Sequence, residues 1–127
     1  MNSILEKANY CASCVTKPCQ VGCPFNNDIT SFIKDIKSED YEHAYRVLCQ
    51  TTVLPAICGR VCPYDKQCQG ACVKKVSYDA VRIGELEAFI GDLSIKNNWS
   101  IVRKDCPKRS EKVAIVGGGP AGLVCAA

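Results

Sequence analysis

Two short cysteine runs constrain this chain more than any other feature. The first is Cys11-x2-Cys14-x4-Cys19-x3-Cys23-Pro24, and the second is Cys58-x3-Cys62-Pro63-x4-Cys68-x3-Cys72. With Cys49, Cys106 and Cys125 they make eleven cysteines in 127 residues. Cysteines at that density form disulfides, bind zinc or hold iron–sulfur clusters. Disulfides need an oxidising compartment. The opening stretch MNSILEKANY carries Glu6 and Lys7 and lacks the apolar segment of a secretory signal. An odd cysteine count also argues against a disulfide framework. The expectation is a cytoplasmic chain whose thiols hold a metal, since thiolates are soft ligands for zinc and iron–sulfur centres.

Spacing discriminates further. Zinc sites usually come as two C-x2-4-C pairs, whereas here four cysteines crowd into residues 11–23 and the last precedes a proline. This resembles the bacterial ferredoxin run C-x2-C-x2-C-x3-C-P, in which the fourth cysteine serves the other cluster. The middle gap is longer here, so the run is not that motif itself, but the Cys-Pro pair recurs at Cys62-Pro63. Two such loops point to two clusters with shared ligation. A structural zinc-binding interaction domain and a disulfide scaffold are the alternatives. Cys49, Cys106 and Cys125 stand apart and read as small hydrophobes or inert thiols.

Around the cysteines the pattern is helical. Residues 3–9 suit a short turn of helix. Ile29, Phe32, Ile33 and Ile36 recur at helical spacing over 28–37, with Asp28 placed to cap. Tyr41, Ala44, Tyr45 and Leu48 repeat the spacing over 39–50, with Ser38 as the cap and Pro55 ending the region. Ile83, Leu86, Ile90 and Leu93 line a third helix over 82–96. The two cysteine loops, 11–24 and 58–72, bracket the helical hairpin. Each helix has an apolar face, but the core they can build is small and needs a supplement. No apolar run approaches the roughly 20 residues of a membrane helix. The net charge of +3 is spread along the chain, not concentrated in a basic block, so neither a membrane nor a nucleic acid is expected as partner. Each four-iron cluster held by four thiolates adds about −2, and the basic excess suits such compensation. His43, the only histidine, falls on the polar side of its helix and reads as solvated. Nothing in the sequence forms an acid–base pair, a nucleophile or a phosphate-transfer site.

The last residues read differently. After a polar linker over 100–111, the run VAIV (113–116) suits a short buried strand, and Gly117-x-Gly119-x-x-Gly122 follows it directly. Such glycines allow a tight turn and close approach of backbone to a pyrophosphate at a helix N-terminus. The acidic residue expected about twenty positions later lies beyond residue 127. Residues 112–127 are thus expected to be the start of a nucleotide-binding domain and, alone, not to bind a dinucleotide tightly. The expected organisation is mainly α: a helical iron–sulfur domain over 1–99, the linker, and the first strand-turn-helix of a Rossmann-like unit.

A two-cluster helical domain leading into VAIVGGGPAG, with CGRVCP in its second loop, resembles the N-terminal portion of the small (beta) subunit family of NADPH-dependent glutamate synthase. Similar modules open dihydropyrimidine dehydrogenase and the large subunit of the electron-bifurcating NADH-dependent ferredoxin:NADP oxidoreductase. The resemblance implies an alpha-helical ferredoxin-like fold and two [4Fe-4S] clusters. It assigns Cys11, Cys14, Cys19 and Cys72 to one cluster, and Cys23, Cys62, Cys68 and Glu87 to the other. By the same match Cys58 is not a ligand, although spacing alone nominates it. It further implies FAD, held in part by Gly117, Gly119 and Gly122, and NADPH. The implied partners are a downstream flavin-containing domain and a catalytic partner subunit or domain. From helical periodicity alone, Glu87 lies at the edge of its apolar stripe, roughly 80° from the centre, where a Glu is ordinarily solvated. Gly84, Ala88 and Gly91 fall on the same side and leave room for something bulky. A pyrimidine-reducing or electron-bifurcating enzyme is the alternative within the resemblance, and Glu87 in place of Gln tilts against the pyrimidine enzyme.

Overall fold

The computed structural model describes residues 2–101, 107 and 109–127. Cys106 and part of the linker expected over 100–111 lie outside the described residues. Seven α-helices occur among those described: α1 (Asn2–Asn9), α2 (Pro18–Val21), α3 (Ile29–Lys37), α4 (Tyr41–Leu48), α5 (Pro55–Val61), α6 (Ile83–Lys96) and α7 (Pro120–Ala126). Two 3₁₀ turns, Tyr64–Lys66 and Val73–Val76, lie in and just after the second cysteine loop. The chain is therefore mainly α, as the periodicity predicts. Among the described residues no helix is long and apolar enough to cross a membrane.

The three amphipathic helices meet on their expected faces. Ile29, Phe32, Ile33 and Ile36 of α3, Ala44, Tyr45 and Leu48 of α4, and Ile83, Leu86 and Ile90 of α6 are all buried in one core. Tyr41 and Leu93 are only partly covered, and Val47 and Ser94 are buried beside them. Asp28 caps α3 by accepting the Ser31 N–H at 3.3 Å, which satisfies one donor left free at a helix start.

Three local expectations are corrected. Ser38 does not cap α4; it ends α3, its hydroxyl donating to the Asp35 carbonyl at 3.1 Å. Glu39 then reverses the chain at φ 59°, and Asp40 caps α4 by accepting the His43 N–H at 3.1 Å. A serine near a helix end serves either terminus, because its hydroxyl both donates and accepts. Second, α5 forms where a cysteine loop is expected, so Cys58 is helical. Proline excludes a helix before itself yet suits a first helical position, where its missing N–H has no partner to lose. Third, VAIV forms no strand, and no strand occurs among the described residues. Val113 and Val116 are 83% and 99% exposed. A strand needs a neighbour for its backbone groups, and none of the described residues stands beside 113–116 as one. The turn and helix after it do form: Gly117 takes φ 109°, a conformation that L side chains rarely adopt, and α7 opens at Pro120.

α5 lies tightly against α6. A methyl group added at Gly59 would run into the backbone of Ala88, and one at Gly91 into the backbone of Ala56. The bulky neighbour that the small face of α6 accommodates is therefore α5 itself, together with the Tyr64 ring stacked over Gly84. This seam fixes where Glu87 stands.

Candidate metal centre

Both cysteine loops are anchored to the helical core by polar contacts. In the first loop, Lys17 sits at φ 44° between Cys14 and Cys19, and its ammonium donates to both Asp28 carboxylate oxygens at 2.9 and 3.1 Å. Burial alone would raise the Asp28 pKa, but Lys17 and Ser31 hold it below the usual carboxylate range. From the far end of α3, Lys37 donates to the Cys11 carbonyl at 2.8 Å and to Ser13 Oγ at 3.2 Å. In the second loop, Gln69 Oε1 accepts the Gly84 N–H at 3.2 Å and so caps α6 from a distant point in the sequence. Asn27, buried at the end of loop one, accepts the Thr51 hydroxyl.

These anchors bring the cysteines into two neighbourhoods. Cys11, Cys14, Cys19 and Cys72 line one apolar pocket, walled by Ile29 and Ile33 of α3. The Cys19 thiol is pushed up to about 11, by burial first and then by Cys11 and Cys72 beside it. In the second neighbourhood, burial pushes the Cys62 thiol up to about 11, with Cys58, Glu87 and Cys23 adding to it. Burial likewise pushes Cys68 up to about 12, with Cys23, Glu87 and Cys19 adding to it. Cys68 thus feels a thiol of the first neighbourhood, so the two adjoin. Among the described residues, no three His, Cys, Asp or Glu side chains converge tightly enough to hold a single metal ion. The grouping rests on the shared pocket and on these mutual electrostatic effects.

Glu87 tests whether the second group fits a metal centre. It is 7% exposed, and its Oε1 is buried without a hydrogen-bond partner among the described residues. Burial pushes its carboxyl up to about 7. A buried carboxylate is normally paired with a cation or fully hydrogen-bonded. Here the acidic groups that respond to its charge are Cys62, Cys68 and Tyr64. An orphaned carboxylate oxygen among thiols is a donor set suited to a cation, and the thiolates beside it are the ligand type that iron–sulfur clusters take. The residues present fit the group that the resemblance implies.

The remaining candidates separate. Cys58 is partly buried on α5 next to Cys62, Cys49 is partly buried at the end of α4, and Cys125 is exposed on α7. Burial raises the Cys49 thiol pKa, which suits the inert role expected of it. His43 is exposed, with its Nδ1 2.9 Å from Asp35 Oδ2. Gly122 crosses close to Gly117, whose carbonyl a methyl group at Gly122 would strike, and Gly119 precedes α7 in extended backbone. Periodicity and spacing do not reveal two participants: Gln69, whose cap is non-local, and Thr52, a buried polar residue beside Cys58.

A helical core with two adjoining cysteine neighbourhoods, one of them beside a buried, unpartnered carboxylate, defines a domain of the iron–sulfur electron-transfer class. Residues 1–99 match the family described as dihydropyrimidine dehydrogenase domain II, 4Fe-4S cluster, and the chain belongs to that family. It is 43% identical to the putative oxidoreductase UacF of Escherichia coli (strain K12), over 94% of this chain and 19% of that protein. It is 38% identical to the glutamate synthase (NADPH) small chain of the same organism, over 94% of this chain and 25% of that one. The subunit PreT of its NAD-dependent dihydropyrimidine dehydrogenase is 34% identical, over 94% of this chain and 29% of PreT. The chain thus spans between 19% and 29% of the length of these relatives.

Proposed function

We propose that this chain is the electron-transfer module of an NAD(P)H-dependent, FAD-containing iron–sulfur oxidoreductase, most like a glutamate synthase small chain. In this reading Cys11, Cys14, Cys19 and Cys72 hold one [4Fe-4S] cluster, and Cys23, Cys62, Cys68 and Glu87 hold the second. When bound, such a cluster supplies reversible one-electron transfer at a potential set by its ligands and surroundings. The chain's own residues do the positioning. Lys17, Lys37 and Gln69 pin the loops, and Ile29 and Ile33 keep the first pocket apolar. Gly117, Gly119 and Gly122 are assigned to the pyrophosphate-facing turn of an FAD-binding domain. Its flavin, reduced by NADPH, would feed the module, and a partner subunit or domain would draw from it.

The observation that carries this reading is Glu87, whose buried Oε1 has no hydrogen-bond partner among the described residues. The test is iron, zinc and acid-labile sulfide on protein purified without oxygen. The expected result is about eight irons and eight sulfides per chain, as two four-iron clusters require. Zinc without sulfide would make the chain a structural zinc module instead.

A second reading, the same module in a pyrimidine-reducing enzyme, is favoured by the matched family's description and by PreT. The acceptor reduced by the complete enzyme, a pyrimidine or 2-oxoglutarate with glutamine, separates the two.

A further inference from the structure

Lys37 is the last residue of α3, yet its ammonium does not stay with that helix. A cation in a last helical turn ordinarily serves the free carbonyls and the dipole of its own helix. Here it reaches across to the first cysteine loop. Its Nζ donates to the Cys11 carbonyl at 2.8 Å and to Ser13 Oγ at 3.2 Å. Ser13 stands at φ 51°, a backbone conformation uncommon for a residue with a side chain. In that conformation its own N–H donates to Cys11 Sγ at 3.5 Å. Among the described residues no carboxylate forms an ion pair with Lys37, whereas Lys17, within the loop itself, is paired with Asp28 at 2.9 Å.

These three contacts close a circuit around one sulfur. Lys37 grips the residue that carries the sulfur through its carbonyl, and the residue that donates to the sulfur through its hydroxyl. With both held, Ser13 keeps the turned backbone that aims its N–H at Cys11 Sγ. A metal-bound thiolate carries no proton and can only accept, which is the direction of this bond. We propose that Lys37 is a positioning residue for the first cluster site: it clamps Cys11 and Ser13 so that the Ser13 N–H bonds the Cys11 sulfur, and it brings its own positive charge beside that site. Hydrogen bonds to a ligand sulfur and a nearby cation both favour the reduced, more negative cluster, so both raise its potential. Cys11 lines an apolar pocket, where water screens such effects less than it does at an open surface. This inference deepens the proposed function and rests on the assignment of Cys11 as a ligand.

The test is a redox titration of the cluster-loaded chain, followed by electron paramagnetic resonance, with iron and sulfide analysis of each sample. Glu87→Gln, a change at the second site, tells the two midpoints apart: the one it leaves in place is that of the first site. Lys37→Met, which keeps most of the side chain but neither its charge nor its donors, is expected to keep the wild-type iron content. It is expected to shift the first-site midpoint to more negative potential while the other stays. Lys37→Arg, which restores charge and donors, is expected to recover most of the shift. Ser13→Ala removes the hydroxyl and leaves Lys37 its hold on Cys11. It is expected to give a smaller shift in the same direction, and it decides the matter if Lys37→Met cannot be loaded. An equal shift of both midpoints, a shift of the second-site midpoint alone, or no recovery in Lys37→Arg would overturn the inference. So would undiminished iron in Cys11→Ala, which would remove Cys11 from the ligand set. Wild-type chain that takes up no iron and sulfide overturns the cluster reading and this inference with it. Full loading with midpoints unmoved by Lys37→Met overturns the inference alone.

Discussion

A carboxyl group taken out of water keeps its charge only when something positive or hydrogen-bonding stands opposite it. Glu87 meets neither condition among the described residues: its Oε1 is unpartnered there and its carboxyl is raised to about 7 by burial. If iron completes the site, Glu87→Ala is expected to leave about four irons per chain in place of about eight, as read by iron and sulfide analysis. Glu87→Gln keeps an amide oxygen and should retain more iron than the alanine variant. Undiminished iron in Glu87→Ala would remove this residue from the ligand set. Asp28 carries a different burden, capping α3 and holding Lys17. Asp28→Ala loses both and is expected to cost about 1 kcal/mol for the cap, measured as a lower denaturation midpoint at neutral pH. Asp28→Asn keeps a cap and loses only the ion pair, so it should cost less. Because the folded carboxyl sits below its ordinary value of 3.8, its stabilising contribution is whole above that value. It fades as pH falls through the lower folded value. The gap between wild type and Asp28→Asn should therefore close in acid; a gap that widens there would contradict the assignment.

At the scale of elements, the α5–α6 seam decides whether Glu87 can reach the cysteines of the second loop. Gly91 abuts the backbone of Ala56, so a side chain there cannot be absorbed by a rotamer change. Replacing a mid-helix glycine with alanine gains up to about 1 kcal/mol of helix propensity, whereas overpacking costs about 1–3 kcal/mol. Overpacking wins, and Gly91→Val, which adds bulk with little propensity gain, should lower the melting temperature of the loaded chain. A melting temperature equal to wild type would show the seam to be loose. This seam is only half legible in the sequence. The periodicity of α3, α4 and α6 is visible because each buries one face against a common core. Gly84, Ala88 and Gly91 mark a close approach on α6, but not to what. α5 escapes a reading by pattern because Pro55 serves equally as the end of one helix and the start of another. The cysteines stand out by spacing alone, whereas Glu87 at a stripe edge looks solvated until α5 covers it. Gln69 and Thr52 carry no local signal at all, since their partners are set by tertiary structure.

For the whole molecule, the question is what holds residues 2–99 together. The largest fully buried side chains are Phe32, Ile33, Ile36, Leu48, Ile83, Leu86 and Ile90, a small core for a domain of this length. Both proposed ligand sets join the first cysteine loop to the second: Cys11, Cys14 and Cys19 with Cys72, and Cys23 with Cys62, Cys68 and Glu87. Each thereby closes a long loop that spans α3 and α4, where a metal clip removes the most freedom from the unfolded chain. Without metal, the same sites become a liability. The Cys19 and Cys68 thiols and the Glu87 carboxyl are buried and Cys62 is partly buried near them, and none of the described side chains offers a cation to offset a charge on Glu87. Ligation energy in small metal domains is folding energy. Chain stripped of metal anaerobically is therefore expected to lose helical circular dichroism and to melt broadly, whereas loaded chain melts cooperatively. Reloading with iron and sulfide should restore the sharp transition. The comparison needs both spectra and melts under the same reducing conditions, so that disulfides do not stand in for metal. A metal-free chain that melts as sharply and at the same temperature as the loaded form would mean that the helical core is sufficient and that the cysteine neighbourhoods contribute nothing to the fold.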